Sequence, residues 1–526
     1  MQDTEVLEYI KQAFELKSQQ CYKQAIEMLY KALEIETDNT EILYQLGELY
    51  FMLNNVQRAS HYLEKVLAKN ETHVEALRIL EKIYSDAHDS KNAYKTAEKI
   101  YNLTKQTNDL IEFINVISKT GDLNKIELLE KNIQPDDKVF YAIAKAFYDN
   151  GKSSRSKDEL EQALKINPEN EEALVLLGKI YFDENEFEKS KNIFNTFSKN
   201  TENPEVLNYL GLFALEDMQF VEAIKYFSKA SNLGKENPKY FYNLGNAYFY
   251  NGWFEEASKA YLKAICMSPD ETGYRYSLAY LYFEQKKFEK AQREIDYILQ
   301  NNPEYSLAHV LNALLKFERK DFLGARTELE TNLKNGNADN FTLVSLTKVY
   351  TELSMFEKAE SCIKKVIEKT PDSLNYKCKL AEVYIAEKKY NEAIDIINKV
   401  IYENENYIAA YTLGAKTYWN MKNFEKTREF AQQVINLDMN YAPGYFYLAL
   451  VRFEEKDYEE AIECMKRAIM YDVNNADYYA EMSEIYKAKE DYKTALEYIK
   501  EAENISGNTK YKLMFGELAA INRKNK

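Results

Sequence analysis

Four histidines and five cysteines are the side chains here that could hold a metal or act as nucleophiles. The histidines are His61, His73, His88 and His309, and none is paired at helical spacing with a second ligand type of metal-site character. Cys21, Cys266, Cys362, Cys378 and Cys464 stand far apart, with no C-x-x-C pair. That spacing argues against a cysteine zinc site or a disulfide framework and suits a reducing compartment, so the expected location is cytoplasmic. There is no phosphate-cradling glycine loop, dinucleotide fingerprint or nucleophile elbow. Paired carboxylates occur throughout, as on any solvated helix. No catalytic, cofactor or metal residue is therefore assigned, and the chain is read as a non-enzyme.

Charge narrows the class of partner. Asp plus Glu is 85 against 69 Lys plus Arg, a formal net charge of −16. A nucleic-acid binder needs a basic footprint to displace counterions, and none is visible. An anionic membrane surface is disfavoured on the same ground. No apolar run approaches the ~18 residues of a membrane span. The first residues, Met1 to Glu5, carry neither a basic nor an apolar leader region. Proteins offering basic or amphipathic segments fit best; the charge says nothing about oligomeric state.

The elements that would position a binding site emerge from the spacing of small and large residues. In Tyr240 to Asp270, Phe241, Leu244, Gly245 and Tyr248 lie on one helical face, Asn251-Gly252 breaks the helix, and Ala257, Tyr261 and Ala264 resume the period until Pro269. The same slots recur 34 residues on as Leu278, Ala279, Tyr282, Ala291, Ile295, Ile298 and Pro303. They recur again at Ala313, Ala325 and Leu329, then at Leu346, Tyr350, Ala359, Ile363, Val366 and Pro371, and onward to the end. Upstream the slots hold Leu46, Gly47, Tyr50, Ala59 and Leu63, then Leu177, Gly178, Tyr181 and Phe194. Glycine (15) and proline (8) are scarce, and the prolines fall at unit boundaries. Small residues let two helices approach; large ones fill the space between pairs, which must stack to bury their apolar faces.

This pattern resembles the tetratricopeptide repeat, over nearly the whole chain from about Val6 to Gly507. The resemblance implies an all-α solenoid: an α-α superhelix of stacked helix-turn-helix repeats, with a concave groove that takes a peptide or helix of another protein. The expected organisation is amino-terminal repeats over 1–107, a short irregular repeat over 108–136, a continuous array over 137–509, and a capping helix and tail over 510–526. The irregular repeat, whose small slot is read as Asn115, is expected to break the regular stacking.

The family's groove is lined by the second, fifth, ninth and twelfth residues of each first helix. Its densest aromatics fall at Tyr242, Phe249, Tyr276, Phe283 and Phe317, and Glu284 and Glu318 stand beside the last two rings. Read functionally, this is an aromatic floor with an acidic rim for a basic or amphipathic segment. Read structurally, the twelfth residue packs between first helices and the acid is merely solvated. The chaperone-tail site of some relatives is not reproduced. Asn243 is in place, but Asn208, Leu212, Gly273 and Ser277 occupy its neighbouring slots without the needed bases. The expected function is a non-catalytic scaffold or adaptor. The alternative is a regulatory sensor whose superhelix responds to a small peptide.

Overall fold

The structure is a computed structural model that describes residues 2–130, 133–197, 201–506 and 509–524. Among these residues there are 31 helices and no strand. They form fifteen helix-turn-helix pairs and a last helix, Thr509–Lys524. The final two residues of the expected tail, 525–526, lie outside the described residues. Each pair is named below by the first residue of its first helix. The helix breaks fall where the spacing places them: Pro238–Tyr250 ends before Asn251-Gly252, and Phe254–Met267 ends before Pro269.

One turn chemistry repeats in the regular pairs from Thr40 onward. The fifteenth residue adopts a positive φ, as in Asn54, Gly252, Lys286, Lys388 and Lys456. The next residue's amide then donates back into the helix, as Trp253 to the Tyr248 carbonyl at 2.9 Å and Lys389 to the Tyr384 carbonyl at 2.8 Å. A left-handed residue at this place satisfies carbonyls that the helix end would otherwise orphan. Many of the first helices also start on side-chain caps. Asn39, Asn170, Asn203 and Asp136 each accept an amide hydrogen bond from the first turn. Pro204 and Pro238 open theirs, where a missing N–H costs nothing.

The chain divides into two compact units, residues 1–260 and 261–526. Within each, the core is a succession of local clusters. In the first unit, Leu46, Leu63, Val66 and Leu80 share one cluster, and Ala144, Leu160, Ala173 and Ile180 another. In the second unit, Ala279, Ile295, Leu311 and Leu315 share one, followed by Ala325, Leu346, Ile363 and Val383. Each cluster draws on adjacent pairs, so no pair is stable alone. The small slots are sealed: Ala257, Ala291, Ala325, Ala359 and Ala393 expose nothing.

Two glycines show why the slots are small. A Cβ on Gly178 would stand 2.7 Å from the Phe194 ring, and one on Gly211 would stand 2.6 Å from the Phe227 ring. Opposite Ile295 and Ile397 the slot holds Ala279 and Ala381 instead, although Gly47 faces the aliphatic Leu63, 2.7 Å from where its Cβ would be.

The irregular pair runs as Thr107–Thr120 and a second helix, Asn124–Glu130, of 7 residues. Counting from Thr107, its small slot is Ile114 rather than Asn115. Ile114 is fully buried, whereas Asn115 is half-exposed. A branched side chain in that slot prevents the close approach that Gly or Ala permits elsewhere. Ile114 instead shares a cluster with Ile126, Val139 and Ile143. An ion pair from Arg78 to Asp109 at 3.0 Å ties the preceding pair to its first helix.

Candidate protein-binding groove

The side chains with latent chemistry have structural partners. His73 caps a helix, its Nδ1 accepting the Ala76 amide at 3.3 Å. His88 is the left-handed turn residue of its pair. His309 lies 2.6 Å from Glu328 and 2.7 Å from the Pro303 carbonyl. Burial pushes the Cys378 and Cys464 thiols up to about 11, which leaves them protonated and poorly nucleophilic. Among the described residues no three His, Cys, Asp or Glu side chains gather as a metal site would need, and no helix is long and apolar enough to cross a membrane.

The seven residues read from the sequence fall in both compact units. Tyr242 and Phe249 are half-buried on Pro238–Tyr250 in the first. Tyr276, Phe283 and Phe317 are half-buried in the second, on Thr272–Glu284 and Ser306–Glu318, which lie side by side. Glu284 and Glu318, at the ends of those helices, are exposed.

Where the second helix opens with an aromatic residue, the twelfth-position ring meets it. The centroids are 5.9 Å apart for Phe249 and Phe254, 6.0 Å for Phe283 and Phe288, and 5.1 Å for Phe317 and Phe322. Phe182 with Phe187 (5.3 Å) and Trp419 with Phe424 (5.5 Å) repeat the pairing. These rings therefore brace the turn and still present one face outward. Glu318 is not a lone acid. The Lys348 ammonium lies 3.8 Å from its carboxylate and 4.2 Å from the centre of the Phe317 ring. Glu284 has no ion pair among the described residues.

Beside Lys348 the second unit opens into a pocket of about 430 Å³. First-helix residues of four successive pairs line it: Leu314, then Phe341, Val344, Lys348, Thr351 and Glu352, then Lys379, Glu382, Val383 and Ala386, then Lys416. The pocket exists because rings are missing. In the Asn340 and Leu374 pairs the twelfth position holds Thr351 and Ile385, where the flanking Ser306 and Ile408 pairs hold Phe317 and Trp419. Its floor is apolar and its rim carries both signs. Lys379 pairs with Glu382 at 3.1 Å, while Lys416 and Glu352 are exposed without ion pairs among the described residues. Searching the sequence for aromatic density passes over this stretch. The signal that marks it is the loss of two rings in succession.

An all-α repeat of this turn chemistry and slot pattern defines a helical-repeat protein, and the comparisons agree. Models described as tetratricopeptide repeat match residues 17–83 and 147–210, 238–270 and 442–475, and 374–407 and 476–509. The chain belongs to the tetratricopeptide repeat family. A TPR repeat-containing protein of Methanocaldococcus jannaschii is 22% identical over 235 residues, which are 40% of this chain and 40% of that protein. The match thus spans well under half of that relative's length. Among solved structures, the APC/C hetero-tetramer Cut9-Hcn1 is 14% identical with a TM-score of 0.48, covering 91% of this chain and 96% of that one. Yeast Tom70 is 16% identical with a TM-score of 0.39, covering 80% and 97%. A tetratricopeptide repeat protein from Parabacteroides merdae is 20% identical with a TM-score of 0.40, covering 47% and 98%.

Proposed function

We propose that this chain is a non-catalytic scaffold or adaptor that holds a peptide or helical segment of another protein against its first helices. The observation that carries this reading is the pocket between Leu314 and Lys416. It is concave, has an apolar floor and a polar rim of both signs, and is built from rigid helices. A floor of Leu314, Phe341, Val344 and Val383 suits one apolar anchor of a partner. Such anchors often carry about 2 kcal/mol or more of binding energy each. The rim would set register and association rate. With the net charge of −16 and the unpaired Glu284 and Glu352 nearby, a basic or amphipathic segment is the better fit.

Site-specific photo-crosslinking in the native cell tests this. A benzophenone side chain placed at Lys348 should give discrete adducts with one or a few proteins. The same group at Tyr402, which is 90% exposed on a second helix, should not give the same adducts. Equal adducts from both positions, or none from Lys348, would remove the support for a groove ligand.

A further inference from the structure

A second surface, independent of the groove pocket, lies in the first compact unit at the turns of three successive pairs. Most of the turns are polar, although Met52 and Met421 are exposed beside theirs. The left-handed position holds Asn54, Asn185, Lys286, Lys320, Lys388, Lys422 or Lys456, and the helix ends before it in Asp183, Glu284, Glu318 or Glu454. In the Pro204 and Pro238 pairs the pattern inverts. Met218 takes the left-handed position at φ 58, although a long unbranched side chain gains nothing from that backbone and glycine would relax it. Tyr250 replaces the helix-end acid, and Trp253 follows the turn.

These side chains are presented to solvent. Met218 is 77% exposed, Tyr250 58%, Val221 55% and Trp253 48%. Met218 and Tyr250 line a cleft of about 460 Å³ together with Phe187, Leu215, Glu216 and Phe220, and the Phe220 and Tyr250 rings stack with centroids 6.0 Å apart. An apolar surface retained on a strained backbone is the mark of a surface that meets something.

Charge decides what it meets. The local lysines are already engaged: Lys157 pairs with Glu184 at 2.6 Å, Lys191 with Asp217 at 2.8 Å, Lys225 with Glu222 at 2.9 Å, and Lys189 with Glu186. Glu216 lines the cleft itself, and Glu216, Asp183, Glu188, Glu255 and Glu256, on the helices of these three pairs, are exposed and without ion pairs among the described residues. An apolar strip with a carboxylate border repels anionic lipid and repels a second copy of itself. It complements one shape of ligand well: a helix with an apolar stripe at i, i+3, i+4 and i+7 and Lys or Arg along its flanks. We infer that the cleft lined by Phe187, Met218, Phe220 and Tyr250 is a docking site for a basic amphipathic helix of a partner protein.

The test uses the full chain and a fluorescein-labelled Leu/Lys amphipathic peptide of about five helical turns. A scrambled Leu/Lys peptide and a Leu/Glu amphipathic peptide serve as comparisons. Anisotropy should show the amphipathic Leu/Lys peptide binding and both comparisons binding at least about tenfold more weakly. Met218→Lys with Tyr250→Lys replaces the two most exposed apolar side chains of the cleft by charged ones, and should weaken binding by about tenfold or more. Met218→Gly should weaken binding while leaving the melting temperature equal or higher, which separates docking from folding. Thr351→Phe, which fills the groove pocket, should leave this binding unchanged. Equal binding of the scrambled peptide, no binding of the Leu/Lys peptide, or retention of affinity in the Met218 variants would each overturn the inference. So would loss in Thr351→Phe alone, which would place the peptide in the groove. A wild-type dimer abolished by Met218→Lys would also overturn it, in favour of self-association.

Discussion

Gly211 and Phe227 are two halves of one contact: the ring lies so close over the glycine that a Cβ there would stand 2.6 Å from it. Phe227 is fully buried. Gly211→Ala should therefore overpack the Pro204 pair, destabilising it by about 1–3 kcal/mol. Phe227→Leu alone should leave a void and cost a comparable amount. The two together recreate the alanine-with-leucine pairing found at Ala313 and Leu329. The double variant should thus be more stable than the sum of the singles by about 1 kcal/mol or more. Thermal melts of the four proteins measure this; strict additivity would mean the two positions do not form one contact.

Phe283 and Phe288 separate bracing from binding. Their rings are 6.0 Å apart, and either truncation forfeits an aromatic pair worth about 0.5–1.5 kcal/mol beyond its buried area. Both Phe283→Ala and Phe288→Ala should lower the melting temperature. Only Phe283→Ala should also weaken partner binding, since it lies in the stripe facing the groove. Equal affinities for the two folded variants would leave Phe283 with a structural role only.

Glu81 gives a pH signature. It is buried on Val74–Asp86, and desolvation raises its carboxyl above the usual range, although the Ser85 hydroxyl donates to it at 2.7 Å. A raised folded-state value means that the unfolded chain ionises more readily. The favourable state is the protonated one at low pH, and stability is lost as pH rises through the raised value. Glu81→Gln keeps an acceptor for Ser85 and removes the buried charge. It should raise the melting temperature at neutral pH, with the gain shrinking below the ordinary glutamate range. A gain independent of pH would implicate packing instead.

The short pair should be the first to open. Its second helix, Asn124–Glu130, has 7 residues, too few to be stable without packing, while the first helix buries Leu110, Phe113, Ile114 and Ile117. Native-state trypsin should cut at Lys125 before the exposed turn lysines of regular pairs, such as Lys286 and Lys287. Amides of Thr107–Thr120 should stay protected from exchange. Simultaneous loss of protection in both helices would indicate a true hinge across the whole pair.

Much of this architecture was legible in the sequence, for a simple reason. Packing slots such as Gly178, Ala257 and Ala291 tolerate only small residues, so the period shows directly in residue size. The turns were less legible. Gly252 announces one, but Lys286, Lys388 and Lys456 adopt the same left-handed backbone, and lysine is not a turn signal. The irregular pair was framed one residue late because Gln106, before Thr107, makes no side-chain cap that would mark the start. The pocket was least legible. It is made by the rings that Thr351 and Ile385 lack, and aromatic density points to Phe283 and Phe317 instead. Nor does sequence show that Glu318 is partly neutralised, because Lys348 reaches it from the neighbouring pair.

The most direct test of the binding account is to fill the pocket without disturbing the fold. Thr351→Phe places at the twelfth position the ring that neighbouring pairs carry there, and Phe356 already opens the second helix to meet it. The measurement is the affinity of this variant for a partner segment captured through Lys348, together with its melting temperature. The account predicts a melting temperature equal to or above the wild type and affinity lowered by about tenfold or more. Unchanged affinity in a protein that remains folded would contradict it.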